Sequence, residues 1–124
     1  MGRKILIADD NLASRVSLRL ELQDSDFDVV EAEDGNHALK LLGEQPFDAV
    51  VTDIWMPGHD GIEIVKSIAT SQPQAVVFAI TGGGPGMSIA SATTLAKVWG
   101  AAAVYIKPFD VRDLVSDLRS RLAG

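Results

Sequence analysis

Cysteine is absent from these 124 residues. That excludes disulfides, thiolate nucleophiles, iron–sulfur clusters and cysteine-bound zinc. Histidine is scarce too, and His37 and His59 cannot build a histidine-rich metal site. No apolar run approaches the ~20 residues that a membrane span needs. The short apolar run between Lys4 and Asp9 is too brief for a signal peptide, and Leu6 stands where an N-myristoylation signal requires Ser or Thr. No membrane association and a cytoplasmic location are therefore expected. Basic residues are outnumbered, 11 against 17 acidic, and the net charge of −6 would repel a nucleic-acid backbone. Direct nucleic-acid binding is not expected.

What is present suits an ordinary globular chain, with 47% hydrophobic and 23% charged residues. Residues 1–124 have room for one domain, which at this size buries roughly two thirds of its unfolded surface. Five short β-type runs recur, at Lys4 to Ala8, Asp28 to Ala32, Ala49 to Thr52, Ala75 to Ile80 and Ala102 to Ile106. Helical periodicity fills the intervals, at Leu12 to Gln23, Gly35 to Leu42, Ile62 to Thr70 and Ile89 to Trp99, and closes the chain at Val111 to Leu122. Asp60 and Gly61 precede the third helix, and Asp110 is placed to cap the fifth.

Strands joined by helical crossovers run parallel, with helices on both faces. Ile5-Leu6-Ile7, Val50-Val51 and Val76-Val77-Phe78 are apolar without alternation, as doubly covered strands should be. The more polar Asp28-Val29-Val30-Glu31 suits an edge. The expected fold is a doubly wound α/β sheet of five parallel strands in the order 2-1-3-4-5 with five helices.

In such sheets the site forms outside the carboxyl ends of the strands. There the chain carries Asp9 and Asp10 after the first strand, Asp53 after the third, Thr81 after the fourth and Lys107 after the fifth. A lone Asp after a strand is usually a turn or cap residue. Polar groups at four of the five strand ends are hard to ascribe to capping alone. Three converging carboxylates repel one another unless a cation joins them, and an all-oxygen donor set suits Mg²⁺. A lysine opposite them neutralises phosphoryl charge and a threonine hydroxyl bonds a phosphoryl oxygen. These are the components of phosphoryl transfer to a carboxylate, with Asp53, at the end of the central strand, as the nucleophile.

The motifs Ile5-Leu6-Ile7-Ala8-Asp9-Asp10-Asn11, Asp53-Ile54-Trp55-Met56-Pro57-Gly58-His59-Asp60-Gly61, Thr81 and Lys107-Pro108-Phe109 resemble the response-regulator receiver family of two-component signalling, over essentially the whole chain. The resemblance implies a flavodoxin-like fold and a phosphorelay switch rather than a multiple-turnover enzyme. It implies that Asp53 takes a phosphoryl group from the phosphohistidine of a histidine kinase or histidine phosphotransfer protein. Mg²⁺ would be held by Asp10, Asp53 and the carbonyl of Trp55, with Asp9 acting through water. Thr81 and Lys107 would engage the phosphoryl oxygens, and Lys107-Pro108 would be a cis peptide. The face of helix 4, strand 5 and helix 5 would change on phosphorylation, meet a downstream protein target, and support a homodimer.

Departures from the family pattern are visible. Thr81-Gly82-Gly83-Gly84-Pro85-Gly86 is richer in glycine and longer than usual, but lacks the Gly-Lys-Ser/Thr ending of a nucleotide-phosphate loop. The switch aromatic three residues before the strand-five lysine is replaced by Val104, and Tyr105 is the aromatic available to partner Thr81. Because strand side chains alternate, Tyr105 should face the other way. Trp55 is positioned to shield an acyl phosphate. Two rival functions are an Asp-nucleophile phosphatase, disfavoured by Trp55 where a second Asp is needed, and a receiver-like binding module that is never phosphorylated.

Overall fold

A computed structural model describes residues 2–56, 61–82 and 88–123. The strands are β1 (Lys4–Ala8), β2 (Asp28–Ala32), β3 (Ala49–Asp53), β4 (Val76–Thr81) and β5 (Ala103–Ile106). The helices are α1 (Leu12–Asp24), α2 (Gly35–Glu44), α3 (Gly61–Ser71), α4 (Ile89–Val98) and α5 (Val111–Leu122). All strand pairs are parallel and the sheet order is β2-β1-β3-β4-β5, the order expected from the sequence.

Burial explains that order. β3 is buried along its whole length, whereas β2, with Asp28 exposed and Val29 to Glu31 half-buried, takes the edge beside β1. Alternation within each strand divides the core in two. Ile5, Ile7, Val51, Phe78 and Ile80 point to one face and meet Leu18 and Leu22 of α1 and Leu114 and Leu118 of α5. Leu6, Ala8, Val50, Val77 and Ala79 point to the other, against Ala38 of α2, Ile64 and Ile68 of α3, and Ala92 and Ala96 of α4. One stripe of α5, Leu114, Leu118 and Leu122, is buried together with Val115.

Helix starts follow from side chains that satisfy otherwise unpaired N–H groups. Asn11, Asp34, Ser88 and Asp110 accept from the backbone N–H of Ser14, His37, Ser91 and Arg112 respectively. Asn11 and Asp110 both stand at the strands' carboxyl edge, so two helices begin where the site forms. Asp60, expected before α3, lies outside the described residues. Among the described residues no helix is long and apolar enough to cross a membrane.

Candidate functional site

Each expected residue occupies the carboxyl edge of the sheet. Asp9 and Asp10 follow β1 directly, Asp53 ends β3, Thr81 ends β4 and Lys107 follows β5. Adjacent registers set these ends side by side, with Ala8 opposite Thr52, Asp53 opposite Ile80 and Thr81 opposite Ile106. One carboxylate oxygen from each of Asp9, Asp10 and Asp53 lies within 4.8 Å of the others. Asp9 and Asp53 are buried, at 1% and 5% exposure, while Asp10 is exposed. Two sides of the cluster are thus protein and the third opens to solvent.

Lys107 closes the site from β5. Its backbone N–H donates to the Thr81 carbonyl at 2.8 Å. Its ammonium donates to Asp53 Oδ2 at 2.7 Å and to Asp9 Oδ2 at 3.4 Å. The Lys107-Pro108 peptide is cis. The second Asp53 oxygen, Oδ1, accepts the Trp55 backbone N–H at 2.9 Å. Both oxygens of this carboxylate are therefore already held by donors, one of them a mobile cation. Thr81 is fully buried at the end of β4, in register with Ile106 just before Lys107.

Electrostatics reflect crowding. Burial pushes the Asp9 carboxyl up from its ordinary range and the nearby Asp53 charge adds to this, although the Asn11 N–H and the Lys107 ammonium pull the other way. Burial would lower Lys107, but its hydrogen bond to Asp53 and the charges of Asp53 and Asp9 outweigh that, and its pKa is raised. Two negative groups and one positive group share a poorly hydrated space. A hard divalent cation fits this all-oxygen set, because it supplies the positive charge that one lysine cannot.

A model of the response regulator receiver domain matches residues 5–119. The chain belongs to the response regulator receiver family. Solved receivers superpose over nearly its full length. The CheY-like receiver protein of Methanospirillum hungatei JF-1 is 24% identical with a TM-score of 0.90, over 99% of this chain and 95% of that one. A Burkholderia pseudomallei response regulator, solved with a phosphorylated aspartic acid and a calcium ion, is 25% identical with a TM-score of 0.80, over 98% of this chain and 73% of that one. The beryllofluoride-activated NtrC4 receiver domain dimer is 28% identical with a TM-score of 0.85, over 97% and 96%.

In this receiver the structure brings Asp9, Asp10, Asp53 and Lys107 into one pocket and keeps Tyr105 out of it. Tyr105 packs on the α1–α5 face, its ring 5.7 Å from Phe78 and 5.5 Å from Phe109 between centroids, and its hydroxyl donates to Asp117 Oδ2 at 2.8 Å. Val104 instead packs on the α2–α4 face. The alternation of β4 turns Thr81 toward the face of Val77 and Ala79. Tyr105 and the Thr81 side chain are therefore on opposite faces of the sheet, and direct contact between them as a switch pair does not fit this geometry. The Trp55 side chain packs against the same α2–α4 core. Its buried indole N–H has no hydrogen-bond partner among the described residues. The motif residues from Pro57 to Asp60, and the glycine-rich loop from Gly83 onward, lie outside the described residues.

Sequence reasoning missed Arg15. Its guanidinium donates to the Asp9 carbonyl at 2.7 Å and pairs with Glu31 at 3.3 Å. It also missed a cavity of about 340 Å³ beside the pocket, walled by Ser14, Leu18, Lys107, Pro108 and Phe109 among others. Polar residues at helix positions carry no local sign of such remote contacts.

Proposed function

We propose that this receiver is the phosphoacceptor switch of a two-component phosphorelay, with Asp53 as the residue that carries the phosphoryl group. The observation that supports this most is the Asp53 carboxylate, buried, clustered with Asp9 and Asp10, and 2.7 Å from the Lys107 ammonium. The Asp53 carboxylate attacks the phosphorus of a phosphohistidine on a histidine kinase or histidine phosphotransfer protein. The P–N bond breaks, an acyl phosphate forms, and the imidazole leaves and takes a proton from solvent. Lys107 passes from the carboxylate to the new phosphoryl oxygens, neutralising charge that builds during transfer. Thr81 offers a hydroxyl at the adjoining strand end. Asp10, Asp53 and the Trp55 carbonyl would hold Mg²⁺, with Asp9 acting through water, and the ion would supply the positive charge that screens the carboxylates and the phosphoryl group.

Residues 1–124 act as one receiver domain, in the cytoplasm, with no membrane or nucleic-acid contact of their own. The chain modifies itself and does not turn over a substrate repeatedly. Signal leaves through α4, β5 and α5, where Val98, Trp99 and Ile106 are exposed. Exposed apolar side chains on these elements suit contact with a downstream protein or a second copy of the chain. Incubation with acetyl phosphate and Mg²⁺ should give one phosphate adduct by intact mass, absent in Asp53→Asn. No adduct in the wild type would favour a mute binding module, and an undiminished adduct in Asp53→Asn would place the acceptor elsewhere.

A further inference from the structure

We infer that Arg15 is a positioning residue for the cation site: it fixes the backbone that carries the acidic pair and is itself aimed by Glu31. This rests on the phosphorelay reading above for its purpose, but on its own geometry for its substance. Arg15 lies in the first turns of α1, and its side chain is only 12% exposed. Its Nη1 donates to the Asp9 carbonyl at 2.7 Å, while Nε faces Glu31 Oε1 at 3.3 Å. The other Glu31 oxygen is taken by Arg19 Nη1 at 2.7 Å. Glu31 belongs to β2 and stands in register with Ile7 of β1, two residues before Asp9. The pair therefore ties the edge strand β2 and helix α1 to the end of β1, at the point where the chain turns into the site.

Asp9 is held at every polar atom. Its N–H donates to the Ala32 carbonyl at 3.2 Å, its carbonyl accepts from Arg15, its Oδ1 accepts the Asn11 N–H at 2.9 Å, and its Oδ2 faces Lys107. Asp10, next in the chain, takes its starting direction from that fixed carbonyl and is exposed. A preset direction spares the ion the entropy of ordering the loop. A guanidinium suits this task because its rigid planar fork presents separate N–H groups to the carbonyl and the carboxylate in a fixed geometry, whereas lysine's ammonium is a compact charge on a flexible stem.

Charge and position predict opposite effects, which makes the inference testable. As a bare cation near three carboxylates, Arg15 would weaken the binding of another cation, and its removal would tighten it. As a positioning group, its removal loosens the site, and lost outer contacts of this sort cost about tenfold in metal affinity. Mg²⁺ alone is titrated by fluorescence in a Trp99→Phe background, so that Trp55 is the sole indole, with thermal melting recorded on each variant. Arg15→Ala and Arg15→Lys should each raise the Mg²⁺ dissociation constant about tenfold. Glu31→Gln, which keeps the side chain's size but removes the charge that aims Arg15, should raise it by a smaller factor, and combining it with Arg15→Ala should add little. Unchanged or tighter Mg²⁺ binding in Arg15→Ala, or in Glu31→Gln if the first variant does not fold, overturns the inference. Failure of the Arg15-intact protein to bind Mg²⁺ would instead overturn the phosphorelay reading.

Discussion

At the scale of single residues the pocket and the opposite face of the sheet behave as two separate electrostatic systems. Asp9, buried beside Asp53, is charged at a cost in the cation-free protein. Asp9→Asn keeps the acceptor for the Asn11 N–H and removes one charge, so it should stabilise the protein in chelator at neutral pH by about 1 kcal/mol. Saturating Mg²⁺ should reverse that ranking, because the ion stabilises the wild type by mass action; thermal melts with and without the ion check both. Tyr105 is the chain's one tyrosine. Burial, followed by its bond to the Asp117 carboxylate, raises its pKa from the ordinary 10.0 to about 12. An acid whose folded pKa lies above its unfolded value holds its proton more tightly when folded. The resulting stability is complete below pH 10 and is lost as pH rises toward 12. Absorbance titration of the phenol should place its midpoint near 12, and Asp117→Asn should lower it; an ordinary midpoint in the wild type would disprove the bond. Asp9, Asp10, Asp53, Thr81 and Lys107 were legible because strand ends are legible. Arg15, Glu31 and Asp117 were not, since their partners lie 6 to 16 residues away and only strand register and helix docking bring them together.

At the scale of elements, every strand and helix was visible in the pattern of apolar runs and 3.6-residue periods, because doubly covered strands leave uninterrupted apolar signatures. The boundaries of β1, β2 and α5 agree with the sequence reading, and the others differ by one or two residues. The last residue of β3 is Asp53 and that of β4 is Thr81, so these two side chains sit within the strands, whereas Asp9, Asp10 and Lys107 follow theirs. Polar residues at those ends read as loop, yet the ladder continues through them, as with the bond from Ile54 N–H to the Ile80 carbonyl at 2.9 Å. The α5 stripe explains its docking: Leu118 is fully buried against the β1, β3 and β4 face. Leu118→Ala should cost about 3 kcal/mol in urea unfolding through the cavity it leaves. Removal of the α5 cap by Asp110→Ala should lower stability by clearly less in the same assay. Equal, small losses for the two would mean that α5 is not packed as described.

At the scale of the whole molecule, the two cores make the sheet a rigid plate whose carboxyl edge collects four strand ends and the start of α1 and α5. Polarity placed β2 at an edge, through Asp28 and Glu31, while the full strand order came from the flavodoxin-like pattern. The identity of the switch was less legible. Val104 and Tyr105 exchange the usual places of a small and an aromatic residue, and only the packed structure shows Tyr105 committed to Asp117 on the α5 side. The proposed signal from the pocket to α4 would then need some route other than contact between Tyr105 and Thr81. Tyr105→Phe should therefore leave acetyl phosphate labelling of Asp53 unchanged within about twofold, measured by intact mass over time. The most direct measurement on the whole protein is borohydride trapping after labelling with acetyl phosphate and Mg²⁺, followed by peptide mass mapping. Reduction of an aspartyl phosphate yields homoserine, and homoserine is expected at position 53 alone; its appearance at Asp9 or Asp10, or its absence everywhere, would contradict Asp53 as the phosphoacceptor.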